Sequence, residues 1–291
     1  MAELIRAMTR DGSARVIAID GRDIVERARQ LHNTSPTATA ALGRSLMAAS
    51  MMGSLMTDER SSLTLRFAGD GEGGKILCTG DWLGNVRGLI ENPAADPPLR
   101  ADGKLDVAKI VGKGTMQVLR DVPGGEPYTG VSDIVSGEIA EDIASYFALS
   151  EQVPTLCALG VLVDTDLSVR CAGGILVQML PFADDGVAER LEHNALECPS
   201  ITTMMLEGGI KYVMSRFLEE IEYDVFDTSN VDYRCDCSRD RCEKALASLG
   251  TEDFRSLYSD EKIQMHCSFC NTVYTFTHDD LDRIDAERRK K

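Results

Sequence analysis

The chain has 291 residues and carries 31 Lys and Arg against 47 Asp and Glu, a formal charge of −16. A field of that sign repels phosphate backbones and anionic bilayers, which disfavours nucleic acid and membrane surfaces as main partners. No apolar run approaches the ~20 residues of a spanning helix, and the opening Met-Ala-Glu-Leu-Ile-Arg lacks the basic-then-apolar pattern of a secretory signal.

At roughly 100–200 residues per domain the length predicts two domains. Residues 15–19 read as a short strand, and 23–31 as a helix with Ile24, Ala28 and Leu31 on one stripe. Ser35 suits an N-cap and Pro36 a first helical residue. They open a stretch to 56 that is apolar nearly all round, the pattern of a buried helix. Met47, Met51, Met52 and Met56 fall at helical spacing within it and read as core filling, although Met also serves adaptable binding surfaces. From 62 the pattern alternates through Leu63, Leu65 and Phe67. Runs at 76–78, 86–90, 107–119 and 131–135 continue an antiparallel meander. Residues 140–149 read as a helix, and 158–163 and 172–180 as buried strands, with a boundary near 181–186.

Residues 184–231 hold 11 acids and 3 bases, a net −8 and half the chain's charge. Apolar residues such as Ile201, Met204, Met205 and Leu206 interleave there at helical spacing, as in an amphipathic connector with a solvated acidic face. Acidic self-repulsion in such a segment opposes its packing.

Gly69-Asp-Gly-Glu-Gly-Gly74 has the look of a phosphate-cradling loop. It lacks the Lys-Ser/Thr ending, Glu72 would repel phosphate, and a hairpin turn is the better reading. Of the four histidines, His32 is expected to bond backbone at a helix end, and His193 and His278 to be solvated; no Ser/His/Asp arrangement is visible.

The nine cysteines carry the chemistry. Five of them fall from Cys235 onward, and the odd total with local clustering points to metal binding or redox chemistry in a reducing compartment. Cys235-Asp-Cys237 and Cys267-Ser-Phe-Cys270, separated by a longer segment, form two thiolate pairs that suit one tetrahedral zinc ion. Residues 273–276 read as the hairpin strand beside the second pair. His266 adjoins Cys267 and is a possible substitute ligand. Cys242 falls on a helix predicted over 239–249 and reads as packed or free. A module of about 60 residues buries little surface, whereas a structural zinc supplies roughly 10–16 kcal/mol of apparent folding energy. Loss of the metal should therefore unfold it. Oxidised sulfur no longer ligates, so the site is plausible as a sensor.

Six runs carry a likeness to known proteins. They are Cys235-Asp-Cys-Ser-Arg-Asp-Arg-Cys242, His266-Cys-Ser-Phe-Cys-Asn271, the run from His32 to Arg44, the glycine loop at 69–74, Ser150-Glu-Gln-Val-Pro-Thr155 and Ala172-Gly-Gly-Ile-Leu-Val-Gln178. In these the chain resembles the heat-shock protein 33 family, the redox-regulated bacterial chaperones. Two departures stand out: Glu72 replaces the Pro of many relatives, and Cys78, Cys171 and Cys198 fit no family motif, which invites side disulfides under oxidation. The resemblance implies an α+β fold. Residues 1–183 would be an N-terminal mixed sheet and helix domain with a buried helix, 184–233 an acidic helical linker, and 234–291 a small zinc-binding α/β module.

It further implies Cys235, Cys237, Cys267 and Cys270 as ligands of one zinc ion in the reduced state, with disulfides Cys235–Cys237 and Cys267–Cys270 on oxidation. The implied function is an ATP-independent holdase of the cytoplasm and not an enzyme. It would be a reduced, inactive monomer and an oxidised, active homodimer. It would bind unfolding client proteins under oxidative stress and pass them to ATP-dependent foldases, with no nucleic acid or membrane partner. Two other classes compete. A thiol–disulfide oxidoreductase would use the C-x-x-C pair Cys267 and Cys270. A zinc-ribbon nucleic-acid module is opposed by the net −2 of residues 232–291, although 288–291 is a basic run that reads as a solvated tail.

Overall fold

The opening strand of the computed structural model, which describes residues 1–288, lies where the sequence shows no regular pattern. β1 (Ala2–Thr9) forms an antiparallel hairpin with β2 (Ala14–Asp20). The chain divides into two compact units, Met1–Arg234 and Cys235–Lys291; residues 289–291, most of the expected basic tail, lie outside the described residues.

In the first unit α1 (Arg22–His32) is followed by α2 (Pro36–Gly53), capped as its sequence predicts: the Ser35 hydroxyl accepts from the Ala38 N–H at 3.2 Å, and Pro36 opens the first turn. Of the 18 residues of α2 only Pro36 and Arg44 escape full burial. A second sheet follows from β3 (Ser62–Gly69), β4 (Ile76–Asp81) and β5 (Val86–Ile90), then α3 (Val107–Val111), β6 (Gly114–Asp121) and β7 (Tyr128–Asp133), in spatial order β5-β4-β3-β6-β7. The alternation read from 107 to 119 is thus half helix. The Asp106 carboxylate accepts from the Lys109 N–H and Gly112 closes the turn at φ +72°, so cap chemistry decides over a short apolar run.

α4 (Ala140–Tyr146) runs into a π-helical turn at Phe147–Glu151, and β8 (Thr155–Val163) and β9 (Val169–Met179) return to the first sheet. The acidic connector then supplies α5 (Asp185–Glu197), α6 (Ile201–Phe217) and β10 (Tyr223–Val231), giving the sheet order β10-β1-β2-β9-β8. The helical spacing read over the connector stops short of its end, which is a strand. β10 lies antiparallel to β1, and Arg6 of β1 pairs with Asp227 (2.6 Å) while Arg10, just after the strand, pairs with Asp224 (3.1 Å) and Glu222 (3.1 Å).

The first sheet is covered on both faces. Ile17 and Ile19 of β2 join the core around α2, while Val16 and Ala18 join Met204, Met205, Val213, Met214 and Phe217 of α6. That two-sided burial explains the continuous apolar run of β2. Within α6 the helix breaks at Gly209 (φ +70°, ψ −167°), a conformation that costs a residue with a Cβ. After β10 the chain is clasped to β5. Val86 N–H donates to Asp232 O (2.9 Å), Arg234 N–H donates to Val86 O (2.8 Å), and Tyr233 Oη donates to Gly88 O (2.8 Å) and lies 3.2 Å from His32 Nε2. His32 thus meets a side chain where its place at a helix end predicts a backbone partner.

In the second unit α7 (Arg239–Ala247), α8 (Thr251–Ser256), the hairpin β11 (Ile263–His266) and β12 (Val273–Phe276), and α9 (His278–Arg288) surround six buried residues: Leu246, Phe254, Ile263, Phe276, Leu281 and Ile284. Arg239 ties α7 to the other elements, donating to Asp280 (2.7 Å) and Thr275 O (2.8 Å) with its guanidinium 4.5 Å from the Phe276 ring centre. No helix among the described residues is long and apolar enough to cross a membrane.

α2 and β4 approach so closely that a Cβ on Gly80 would stand 2.2 Å from the Ala49 carbonyl oxygen. Gly80→Ala should therefore destabilise the first unit by about 3 kcal/mol, read as a lowered midpoint in urea unfolding followed through Trp82.

Candidate metal centre

The hairpin of the second unit builds half of the cysteine site. β11 and β12 pair from Ile263↔Phe276 to His266↔Val273, so residues 267–272 form the turn. Cys267 N–H donates to Thr272 O (3.0 Å) and Asn271 N–H to Cys267 O (2.8 Å), with Asn271 left-handed at φ +57°. Asn tolerates that conformation better than most residues. The tight turn brings Cys267 and Cys270 together. The other half comes from the segment before α7, where the Ser238 hydroxyl caps the helix by accepting from Arg241 N–H (3.2 Å) and Arg241 pairs with Asp236 (2.6 Å).

The four sulfurs meet. Cys235, Cys237, Cys267 and Cys270 place their Sγ atoms within 4.8 Å of one another. The shortest separations cross between the pairs, Cys235 to Cys267 at 3.6 Å and Cys237 to Cys270 at 3.4 Å. Tetrahedral zinc at ~2.3 Å from each sulfur sets its ligand sulfurs ~3.8 Å apart, so these thiols fit such an ion without rearrangement. All nine cysteines are free thiols. His266 is exposed and stands outside the group, and Cys242 packs against the small core of the unit.

Electrostatics within the cluster are uneven. Burial, followed by thiol–thiol hydrogen bonding, pushes Cys235 up to about 12, and burial also raises Cys237. Burial acts on Cys270 in the same direction, but hydrogen bonds from the hydroxyl and backbone of Thr272 and from neighbouring thiols outweigh it and bring that thiol down to about 6. The Cys270 proton thus leaves readily, whereas burial makes Cys235 and Cys237 hold theirs; a divalent cation among the sulfurs favours the thiolate at each. Tyr274 donates its hydroxyl to Cys237 Sγ at 3.2 Å. Sequence reasoning passes over Thr272 and Tyr274. For Tyr274 the signal is present in the strand period: 274 and 276 share one side of β12, and Phe276 at the buried end marks that side as inward.

The remaining motifs do other work. The amides of the glycine loop are already used: Asp70, Gly71, Glu72 and Gly73 N–H donate to Lys113, Val111, Lys109 and Ile110 carbonyls at 2.9–3.3 Å. The loop closes the β3–β4 hairpin and caps α3, and none of these four amides is left for a phosphate. His193 and His278 are exposed. Burial raises the thiols of Cys78, Cys157, Cys171 and Cys198, which keeps them protonated and slow to react.

Comparison with known proteins places the whole arrangement. The family model described as "Hsp33 protein" matches residues 2–277. The chain belongs to the Hsp33 family. It is 43% identical over 283 residues to the 33 kDa chaperonin of Lachnoclostridium phytofermentans, covering 97% of each chain. It is 41% identical over 285 residues to the 33 kDa chaperonin of Clostridium botulinum (strain 657 / Type Ba4), covering 97% of this chain and 96% of the relative. The crystal structure of the 33 kDa chaperonin, heat shock protein 33 homolog, of Thermotoga maritima superimposes with a TM-score of 0.91 at 32% identity over 99% of both chains. The α+β architecture with its buried helix and cysteine-bearing C-terminal module is therefore that of the Hsp33 fold.

Removal of the hydroxyl that reaches Cys237 in Tyr274→Phe should weaken binding of a divalent ion about tenfold, as loss of an outer-shell partner does. Competition with a chromophoric chelator measures it directly.

Proposed function

We propose that this Hsp33 family member is a redox-regulated, ATP-independent holdase whose input is the cluster of Cys235, Cys237, Cys267 and Cys270. The observation that carries the reading is the convergence of all four Sγ atoms within 4.8 Å in a unit whose core has six buried residues. A zinc ion bound there supplies charge neutralisation for four thiolates and roughly 10–16 kcal/mol of folding free energy, as much as the ~5–15 kcal/mol of an ordinary domain.

Oxidation by peroxide converts Cys235 with Cys237, and Cys267 with Cys270, into disulfides. Each pair of thiolates gives up two electrons, each peroxide takes them with two protons from solvent and becomes two waters, and an ion held by those thiolates would be freed. The mutual reach of all four sulfurs permits this pairing; the choice of partners follows the family resemblance, since the shortest separations run across the pairs. The oxidised cysteines offer no thiolate to an ion, and the second unit is left with a core too small to hold it folded. We place the boundaries of the responsive parts at 184–233 for the linker and 234–291 for the switch. The linker is suited to open. α6 breaks at Gly209, and residues 184–231 carry a net −8.

Departure of α5 and α6 uncovers an apolar face that includes Ile5, Val16, Ile175 and Val177 of the sheet, together with the Met-bearing side of α6. Such a surface fits unfolding client proteins. In this reading the reduced form is an inactive monomer and the oxidised form an active dimer in the cytoplasm, which releases clients to ATP-dependent foldases after reduction. The C-x-x-C pair lies in a hairpin turn and not at a helix start after a strand, which weighs against a thiol–disulfide oxidoreductase.

Peroxide at mildly elevated temperature should release one zinc per chain and oxidise four thiols. The same samples should then suppress aggregation of a chemically unfolded client at stoichiometric amounts. Equal suppression by the reduced, zinc-loaded protein would refute the switch. Cys235→Ser and Cys267→Ser should each lose high-affinity zinc binding, measured by metal analysis after chelator treatment; wild-type zinc content in either would refute the ligand set.

A further inference from the structure

We infer that the first unit holds a binding site for a small organic carboxylate with an apolar body, in a cavity of about 260 Å³ between its two sheets, where Arg15 supplies the charge. Arg15 on β2 and Arg120 on β6 both line this cavity. Arg120 has its own carboxylate: its Nη2 stands 3.0 Å from Glu151 Oε1, and Nη1 donates to Oε2 at 3.3 Å. Glu151 is also claimed by the Tyr146 hydroxyl at 2.6 Å. Arg15 has no such partner. Its Nε donates to the neutral side-chain oxygen of Gln178 at 2.9 Å, and among the described residues it makes no ion pair.

A half-buried guanidinium normally carries a carboxylate, because desolvation without one is costly. Here both burial and the like charge of Arg120 act against it. The other carboxylate on the wall, Asp58, lies on an exposed segment and is not paired with Arg15.

A second group in the wall is also unsatisfied. Ser61 is 1% exposed, and its Oγ has no hydrogen-bond partner among the described residues. A carboxylate in the cavity would satisfy Arg15, taking the paired N–H groups that a guanidinium presents. The rest of the wall sets the body of the ligand. Met52, Leu55, Phe147 and Val153 are apolar, and the volume equals about nine waters at ~30 Å³ each, room for a short aliphatic or a single-ring carboxylate but not a nucleotide.

The chain reports on this site through its only tryptophan, since the Trp82 N–H donates to Ser61 O at 3.3 Å. Titration of the reduced, full-length protein with hexanoate should give a saturable change in Trp82 fluorescence and raise the melting temperature. 1-Hexanol, which keeps the body and lacks the charge, should bind about tenfold more weakly or worse. Arg15→Gln should lose hexanoate binding, and Arg15→Lys should retain part of it. The inference is overturned if hexanol matches hexanoate, if Arg15→Gln binds unchanged, or if no saturation is reached. Should Arg15→Gln fail to fold, the hexanoate and hexanol comparison on the wild-type protein decides alone.

Discussion

Four sulfur atoms within 4.8 Å of one another cannot all be ionised unless a cation stands among them. Everything distinctive about the C-terminal unit follows from that constraint. Its elements are short: two strands of four residues, helices of six, nine and eleven, and a core of six buried side chains. The ion pairs that join α7 to α9 and the cation–π contact of Arg239 with the hairpin lie near the surface, where each contributes little. In the function proposed above, a unit built this way draws its stability from whatever satisfies the thiolates, and its fold would be conditional on the chemical state of sulfur.

The N-terminal unit rests on the opposite principle. α2 lies buried between two sheets, with 16 of its 18 residues sealed, and burial raises the thiols of Cys78 and Cys157 beside it. α5, α6 and β10 belong to this unit yet differ from the rest of it. β10 is an edge strand with most of its residues exposed, held by backbone pairing and by Arg6 and Arg10. The acidity of the connector therefore does not act as bare self-repulsion; part of it is answered across the β1–β10 ladder.

Much of this was legible in the residues alone. Cap chemistry at Ser35 and Pro36 announced α2, strict alternation announced β3, and the cysteine spacing announced the cluster. What escaped was set by distant partners. β1 is interrupted by Glu3 and Arg6, and its place in the sheet depends on β10, which the chain supplies only at Tyr223–Val231, the far end of the unit. The 107–111 run is apolar at either period, and only Asp106 and Gly112 at its ends distinguish helix from strand. The charges of Glu222, Asp224 and Asp227 read as a solvated face until the arginines opposite them are known. The Tyr274 contact to sulfur was readable from strand parity, but only once a zinc knuckle was assumed.

The clasp at Tyr233 has a mechanical consequence. Its hydroxyl is fastened to Gly88, and the flanking amide and carbonyl groups to Val86, just ahead of Arg234 and the first cysteine of the cluster. Any loss of order in the module therefore begins at a fixed anchorage on β5. The chain beyond Arg234, released as a coil, would extend roughly 40 Å root-mean-square from that point. A chain leashed at such a radius keeps its apolar and charged segments at millimolar local concentration around the N-terminal unit, so recapture is intramolecular and independent of protein concentration, unlike any pairing between two copies.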